Sequence, residues 1–218
     1  RVRLDMEIEG NRDWIADSIQ VGVGAGATIE ARSNIEIFVG PSWIERTDPM
    51  QYVAQATDDA GRAHYVFARI HQTTVALTTR VNWTFSPRLS LQAYAQPFIA
   101  AGRYSELKDV ETPDAHRFAD RFHVLSGSEY AIDSGTVRVT HDGTYSFERP
   151  DFNFDELRST VVLRWEYRPG STIFAIWSHG RANAVGDGRF DLINDVANIG
   201  DAPGEHTVMV KANYWMGL

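Results

Sequence analysis

The chain has 218 residues, a formal net charge of −8 and no cysteine. That length suits one large domain or two small ones, the acidic balance offers nucleic acid no general basic surface, and disulfide scaffolds, thiolate metal sites and cysteine nucleophiles are excluded. Mean hydropathy is −0.30 and no run approaches ~18–20 consecutive apolar residues, so a membrane-spanning helix is not expected; a β-barrel is compatible with that value, because only alternate residues face lipid.

Period-two alternation dominates from the first residue. In RVRLDMEIEG, Val2, Leu4, Met6 and Ile8 fall on one face and Arg1, Arg3, Asp5, Glu7 and Glu9 on the other. The chain starts directly in this pattern, without a charged-then-apolar leader, as a mature or fragmentary chain would. The second strand is predicted over 18–30, where Gly22, Gly24 and Gly26 alternate with Val21, Val23 and Ala25. VGVGAGA is not a phosphate loop, since no G-K-[ST] follows; small residues on one strand face leave space there or permit curvature. The third strand runs through Ile35, Ile37, Val39, Pro41 and Trp43, and Asp48-Pro49 and Asp58-Asp59 mark a loop over 47–62. The fourth, 63–85, is long and ends at the tight turn Ser86-Pro87-Arg88.

A fifth strand spans 89–103, followed by a polar stretch, 104–151, with room for a hairpin at Asp133-Ser134-Gly135 between EYAI and TVRV. The sixth strand, 153–167, turns at Arg168-Pro169-Gly170 into the seventh, 171–180. A loop over 181–205 holds one short helix near 190–197, and the eighth strand, 205–218, ends the chain. Connections alternate between short turns and long polar loops, and every short turn falls on the side where the last strand ends; outer-membrane barrels are organised this way.

The predicted fold is therefore all-β: an antiparallel transmembrane β-barrel, with these eight strands as the C-terminal part of a larger barrel. The polar face carries Arg3, Asp5, Glu7, Arg80, Glu156, Arg158, Arg164, Glu166 and Lys211, which would line the lumen. Trp83, Phe85, Trp165, Tyr167 and Tyr214 sit beside short turns or the chain end, where an aromatic girdle meets the membrane interface. A soluble β-sandwich is the alternative; several strands longer than the usual ~5–6 residues count against it.

The ending KANYWMGL resembles the C-terminal assembly signal of outer-membrane barrels through Lys211, Tyr214, Met216 and Leu218, with Asn213 where glycine is commoner and Leu in place of a terminal Phe. The segments LQAYAQPF and LRWEYRPGS, within a match over most of 33–218, resemble the C-terminal region of large bacterial outer-membrane proteins. Those proteins carry an N-terminal family-nine-type carbohydrate-binding domain followed by a domain of unknown function. The resemblance implies an outer-membrane β-barrel but supplies no catalytic or binding residues.

No chemistry-bearing motif stands out. His64, His71, His116, His123, His141, His179 and His206 are scattered, none in an H-E-x-x-H arrangement, and the pair His116 and His123 in one loop is too weak a spacing to predict a metal site. The stretch 104–151 holds ten acidic and five basic residues, and 181–205 five and two. A solvated exterior is the plain reading; calcium binding or divalent bridging to lipopolysaccharide is the sharper one, without an EF-hand series behind it. There is no G-x-S-x-G. The expectation is a non-enzymatic barrel without cofactor or metal, located in the bacterial outer membrane, for transport or surface docking of a nutrient or polymer. The alternatives are a structural anchor for a surface complex and an outer-membrane hydrolase. Its expected partners are outer-membrane lipid and lipopolysaccharide, the barrel assembly machinery and other surface or periplasmic proteins, with no nucleic acid.

Overall fold

In the computed structural model, which describes residues 1–216, period-two segments become long antiparallel strands. They are β1 (Val2–Asp13), β2 (Ser18–Arg32), β3 (Ile35–Thr57), β4 (Ala63–Ser86), β5 (Leu89–Val110), then, after an excursion, β10 (Phe152–Arg168), β11 (Ser171–Val185) and β12 (Gly204–Asn213). They pair in the order β1-β2-β3-β4-β5-β10-β11-β12. β1 and β12 occupy opposite edges, so among the described residues the sheet is open. The fold is all-β and antiparallel, with 71% of residues in strands.

Short turns join β2 to β3, β4 to β5 and β10 to β11, all at the end of the sheet where β12 finishes. At the last of them Gly170 has φ +74°, a conformation that favours glycine, and Trp215 packs where a Cβ would project.

The opposite end departs from expectation. β3 does not stop before 47; it continues to Thr57, leaving a loop only at 58–62. Asp48-Pro49 is absorbed by a bulge, two residues of β3, Pro49 and Met50, facing one of β4, Arg69, between Asp48 and Gln51. A bulge suspends the ladder where proline has no N–H to donate, and Asp48 Oδ1 accepts the Met50 N–H at 2.9 Å. β5 likewise passes 103 and reaches Val110, with a register shift opposite Phe67 and Arg69 and Glu106 at φ +50°. β11 extends to Val185 rather than 180.

The excursion 104–151 contains a 3-10 turn (Phe118–Arg121), β6 (Phe122–Val124) on β5, and a separate three-stranded sheet of β7 (Tyr130–Asp133), β8 (Thr136–Val139) and β9 (Tyr145–Glu148). The expected hairpin at Asp133-Ser134-Gly135 is present; Ser134 and Gly135 have φ +49° and +85°, the positive pair that a two-residue hairpin turn requires. This small sheet supplies the hydrophobic core. Val137, Val139, Tyr145 and Phe147 pack on Ala56, Val66, Ala68, Leu107 and Leu125. β4 has no bulge of its own between His64 and Thr84, so Val66 and Ala68 share the face of Thr78 and Arg80, and the module sits on the polar-face side of the sheet.

The expected helix is α1 (Leu192–Asp201). Asp191 caps it by accepting the Asn194 N–H, and Asp195 lies in its first turn, where the positive helix end favours a carboxylate. It packs against β10 from the other side: Asn153 Nδ2 donates to Asp195 Oδ1 at 2.8 Å.

Candidate functional site

Two regions carry surface chemistry: the lower part of the sheet, and the junction of the module with β5 and β6. On the lower sheet the registers align one apolar row across all eight strands. Val2 faces Ile29, Ile29 faces Ile37, Ile37 faces Val81, and Val81 faces Ala93; Ala93 faces Val161, Val161 faces Trp177, and Trp177 faces Val208. The apolar positions cover 75–85 on β4, 89–99 on β5 and 157–167 on β10. Among the described residues no second layer packs over most of them; cover comes only at the upper edge, where Phe190 meets Trp43 edge-to-face at 5.2 Å and Ile99 is buried. Leu4 is 75% exposed, Val208 73%, and even Trp165, on a strand paired on both sides, 50%. A water-soluble domain buries such a face under a second layer.

The belt has edges. At the short-turn end Trp83 and Phe85 lie 4.1 Å apart, Trp165 and Tyr167 6.1 Å, and Tyr214 receives a hydrogen bond from Arg168 at 3.3 Å. Met216 follows Tyr214 beyond β12: the strand ends at Asn213 instead of running to 218. The chain leaves the ladder there because Trp215 N donates to Ser171 Oγ at 3.0 Å. Leu218 lies outside the described residues. The opposite edge has an aromatic boundary that sequence reading missed. Trp43 donates its indole N–H to Glu45 at 2.8 Å, and Trp177 donates to His206 at 3.3 Å. Each is the last outward apolar residue of its strand before a polar one, Glu45 or His179, which is the signal that could have found them.

The charged residues expected on the polar face share it by register. Arg3 reaches Thr28 at 3.4 Å, and Glu7 lies opposite Gly24. Asp5 and Glu9 lie over Gly26 and Gly22, so close that a Cβ on either glycine would collide with them; the glycines admit neighbouring carboxylates rather than leave the face empty. Arg80 sits between the rings of Phe38 and Tyr94, 6.0 and 5.7 Å from their centres. Arg158 pairs with Glu156 at 2.8 Å and Arg164 with Glu166 at 3.5 Å, and Lys211 lies opposite Phe174. These pairs are local to β10, and no element brings the set together as a single constellation.

The module junction does bring distant residues together. His123 on β6 stacks on His141 from the β8–β9 connection, ring centres 3.9 Å apart and planes within 4°. Two carboxylates bracket the stack. Glu111 Oε1 lies 2.7 Å from His141 Nε2 and 3.9 Å from His123 Nδ1. On the other edge Glu129 Oε1 lies 2.9 Å from His141 Nδ1 and 3.1 Å from His123 Nε2. The Ser126 backbone N–H, donating at 2.6 Å, lowers the Glu129 carboxyl to about 2. Glu111, ahead of the neighbouring Glu129, raises His141 above its ordinary value. His116 takes no part in this group.

Beside it, a cavity of about 350 Å³ is lined by Arg62, His64, Asp109, Glu111 and Asp142. Buried His64 Nδ1 lies 2.5 Å from Asp109 Oδ2, which also accepts the Tyr145 hydroxyl at 3.0 Å. Burial pushes the Tyr145 phenol up.

No family model, curated protein or solved structure matches the chain.

Proposed function

We propose that this sheet forms part of the wall of a β-barrel in the bacterial outer membrane, a non-enzymatic protein for passage or surface docking of a nutrient or polymer. One observation carries the reading: an apolar belt crosses eight paired strands, is bounded by aromatics at both ends, and among the described residues has no protein layer over it below the Phe190 contact at its upper edge. Eleven residues at ~3.3 Å each, tilted about 45°, span roughly 25 Å, the height of the apolar band on outer-membrane barrels. Lipid is the cover this face lacks, and the unpaired backbone groups of β1 and β12 would have to be satisfied by further strands closing the wall.

Helix α1 supports the same orientation. It lies just above the belt on the apolar-face side, held by Asn153, with Ile193 82% and Val196 52% exposed. An amphipathic helix in that place suits the lipid headgroup region. The resemblance of LQAYAQPF and LRWEYRPGS to large outer-membrane proteins points the same way. The module on the polar-face side favours docking at the mouth over a wide open pore, since it overhangs the space that the wall would enclose.

The test is reconstitution into vesicles containing brominated lipids. Quenching of Trp83, Trp165, Trp43 and Trp177, each kept as the sole tryptophan in turn, should be strongest with bromine near the headgroups. A protein that stays monodisperse without detergent, with tryptophans unquenched, would overturn the reading. Conductance across the same membranes separates passage from docking.

A further inference from the structure

We infer that Glu111, His123 and His141 form a binding site for a divalent transition-metal ion, with zinc the best chemical fit, and that Glu129 orients the two imidazoles.

Donor accounting leads there. A neutral imidazole has one N–H and one lone pair. Each ring presents one nitrogen to Glu129 and the other to Glu111. With both N–H groups donated to Glu129, three acceptors converge on the opposite edge: His123 Nδ1, His141 Nε2 and Glu111 Oε1. Converging acceptors repel one another unless a cation sits among them. Carboxylates that take the far N–H of a ligating histidine are the usual support of such sites, because they fix the tautomer and the ring orientation. Glu129 fits that part, being itself held by the Ser126 N–H at 2.6 Å.

The distances suit a small ion. One ligand atom from each of Glu111, His123 and His141 lies within 4.8 Å of the others. Four-coordinate zinc with arms of about 2.0–2.1 Å places its ligand atoms roughly 3.3 Å apart. The contacts of 2.7 and 3.9 Å around Glu111 Oε1 bracket that value, and the imidazoles, stacked with planes within 4°, must tilt toward each other to aim both lone pairs at one ion. Two imidazoles and one carboxylate select zinc or a similar ion over calcium or magnesium, which take oxygen. Three protein ligands leave a fourth position, and the cavity bordering Glu111 gives water or a substrate oxygen access to that side.

The ligands come from three separate segments: the residue after β5, the strand β6 and the β8–β9 connection. An ion there would tie the module to the wall, so that metal binding contributes to the module's folding.

Titration of the full chain, folded in detergent, with zinc and with cobalt(II) tests the site. One ion per chain is expected, with the visible absorption of four-coordinate cobalt and slower proteolysis within 111–144. The double variant His123→Gln, His141→Gln should lose binding, and Glu129→Gln should weaken it by about 10–100-fold. X-ray absorption of the zinc-loaded wild type guards against a misfolded variant: two imidazoles with carboxylate or water oxygen support the site. Absence of zinc binding, equal binding by the double variant in its folded form, or a ligand shell without two imidazoles would overturn it.

Discussion

The lower belt and the upper module are built from the same antiparallel strands but solve opposite problems. Below, the apolar face is uncovered, and its stability depends on what the surroundings place against Leu77, Leu163 and Trp165. Above, β3, β4 and β5 extend past the belt, and their polar-face side turns apolar at Val66 and Ala68, where the β7–β9 sheet buries it. One strand, β4, thus presents Arg80 and Val66 on a single face at its two ends. The difference teaches that the same period-two code yields an uncovered apolar face in one place and a buried one in the other, and that only the presence of a covering layer tells them apart.

Substitutions confined to one region should leave the other intact. The largest effect is expected at Phe147. Phe147→Ala removes the largest apolar side chain of the module core and should cost about 3–5 kcal/mol locally, read as lost hydrogen-exchange protection in β7–β9 with β10 and β11 unchanged. Equal loss in both regions would show a single cooperative unit. Next comes Val161→Arg, in the middle of the belt. A charge there should cost about 2–4 kcal/mol in a bilayer, measured by denaturant titration in vesicles, while Thr160→Arg on the opposite face should cost little. Equal effects would mean that the two faces meet the same solvent. Gly135→Ala follows: a side chain at φ +85° should cost about 1–2 kcal/mol, confined to the β7–β8 hairpin.

The belt was legible in the sequence because one face of β2, of β3 and of β5 is apolar over nine or more residues and the other long strands repeat the same period over shorter or singly interrupted runs, and because Pro87 and Gly170 mark turns by chemistry that needs no tertiary context. The all-β antiparallel architecture, the hairpin at Gly135 and the short helix could be read for the same reason. The upper ends were hidden. Asp48-Pro49 reads as a loop by local preference, yet a bulge carries it within a strand; β6 and β9 are only three and four residues long, too short for a period to show. The His123–His141 stack was out of reach, because only the fold of the excursion brings a residue of the three-residue β6 face to face with one of the β8–β9 connection. His116, nearer to His123 in sequence, was the natural but wrong partner to weigh.

The smallest expected effect sharpens the boundary of the module. Asp58 is buried in the 58–62 turn, where its carboxylate accepts the Arg62 backbone N–H at 2.7 Å, the Ala60 N–H at 2.9 Å and the Arg62 side chain at 2.9 Å. Arg62 also holds Asp142, beyond β8, at 3.0 Å. The Arg62 backbone donor, with the guanidinium and His64 adding to it, keeps the Asp58 carboxyl below its ordinary range despite burial. A folded value below the unfolded one means that Asp58 contributes stability above about pH 3.9 and loses it as pH falls through the lower folded value. The turn should therefore open at acid pH, seen as faster exchange of the Ala60 and Arg62 amides, while amides of the belt keep their protection. Asp58→Asn should remove this acid limb and leave a turn weaker at neutral pH. An acid limb that survives the substitution would assign the pH dependence to another carboxylate and detach Asp58 from the hold that Arg62 exerts on the module.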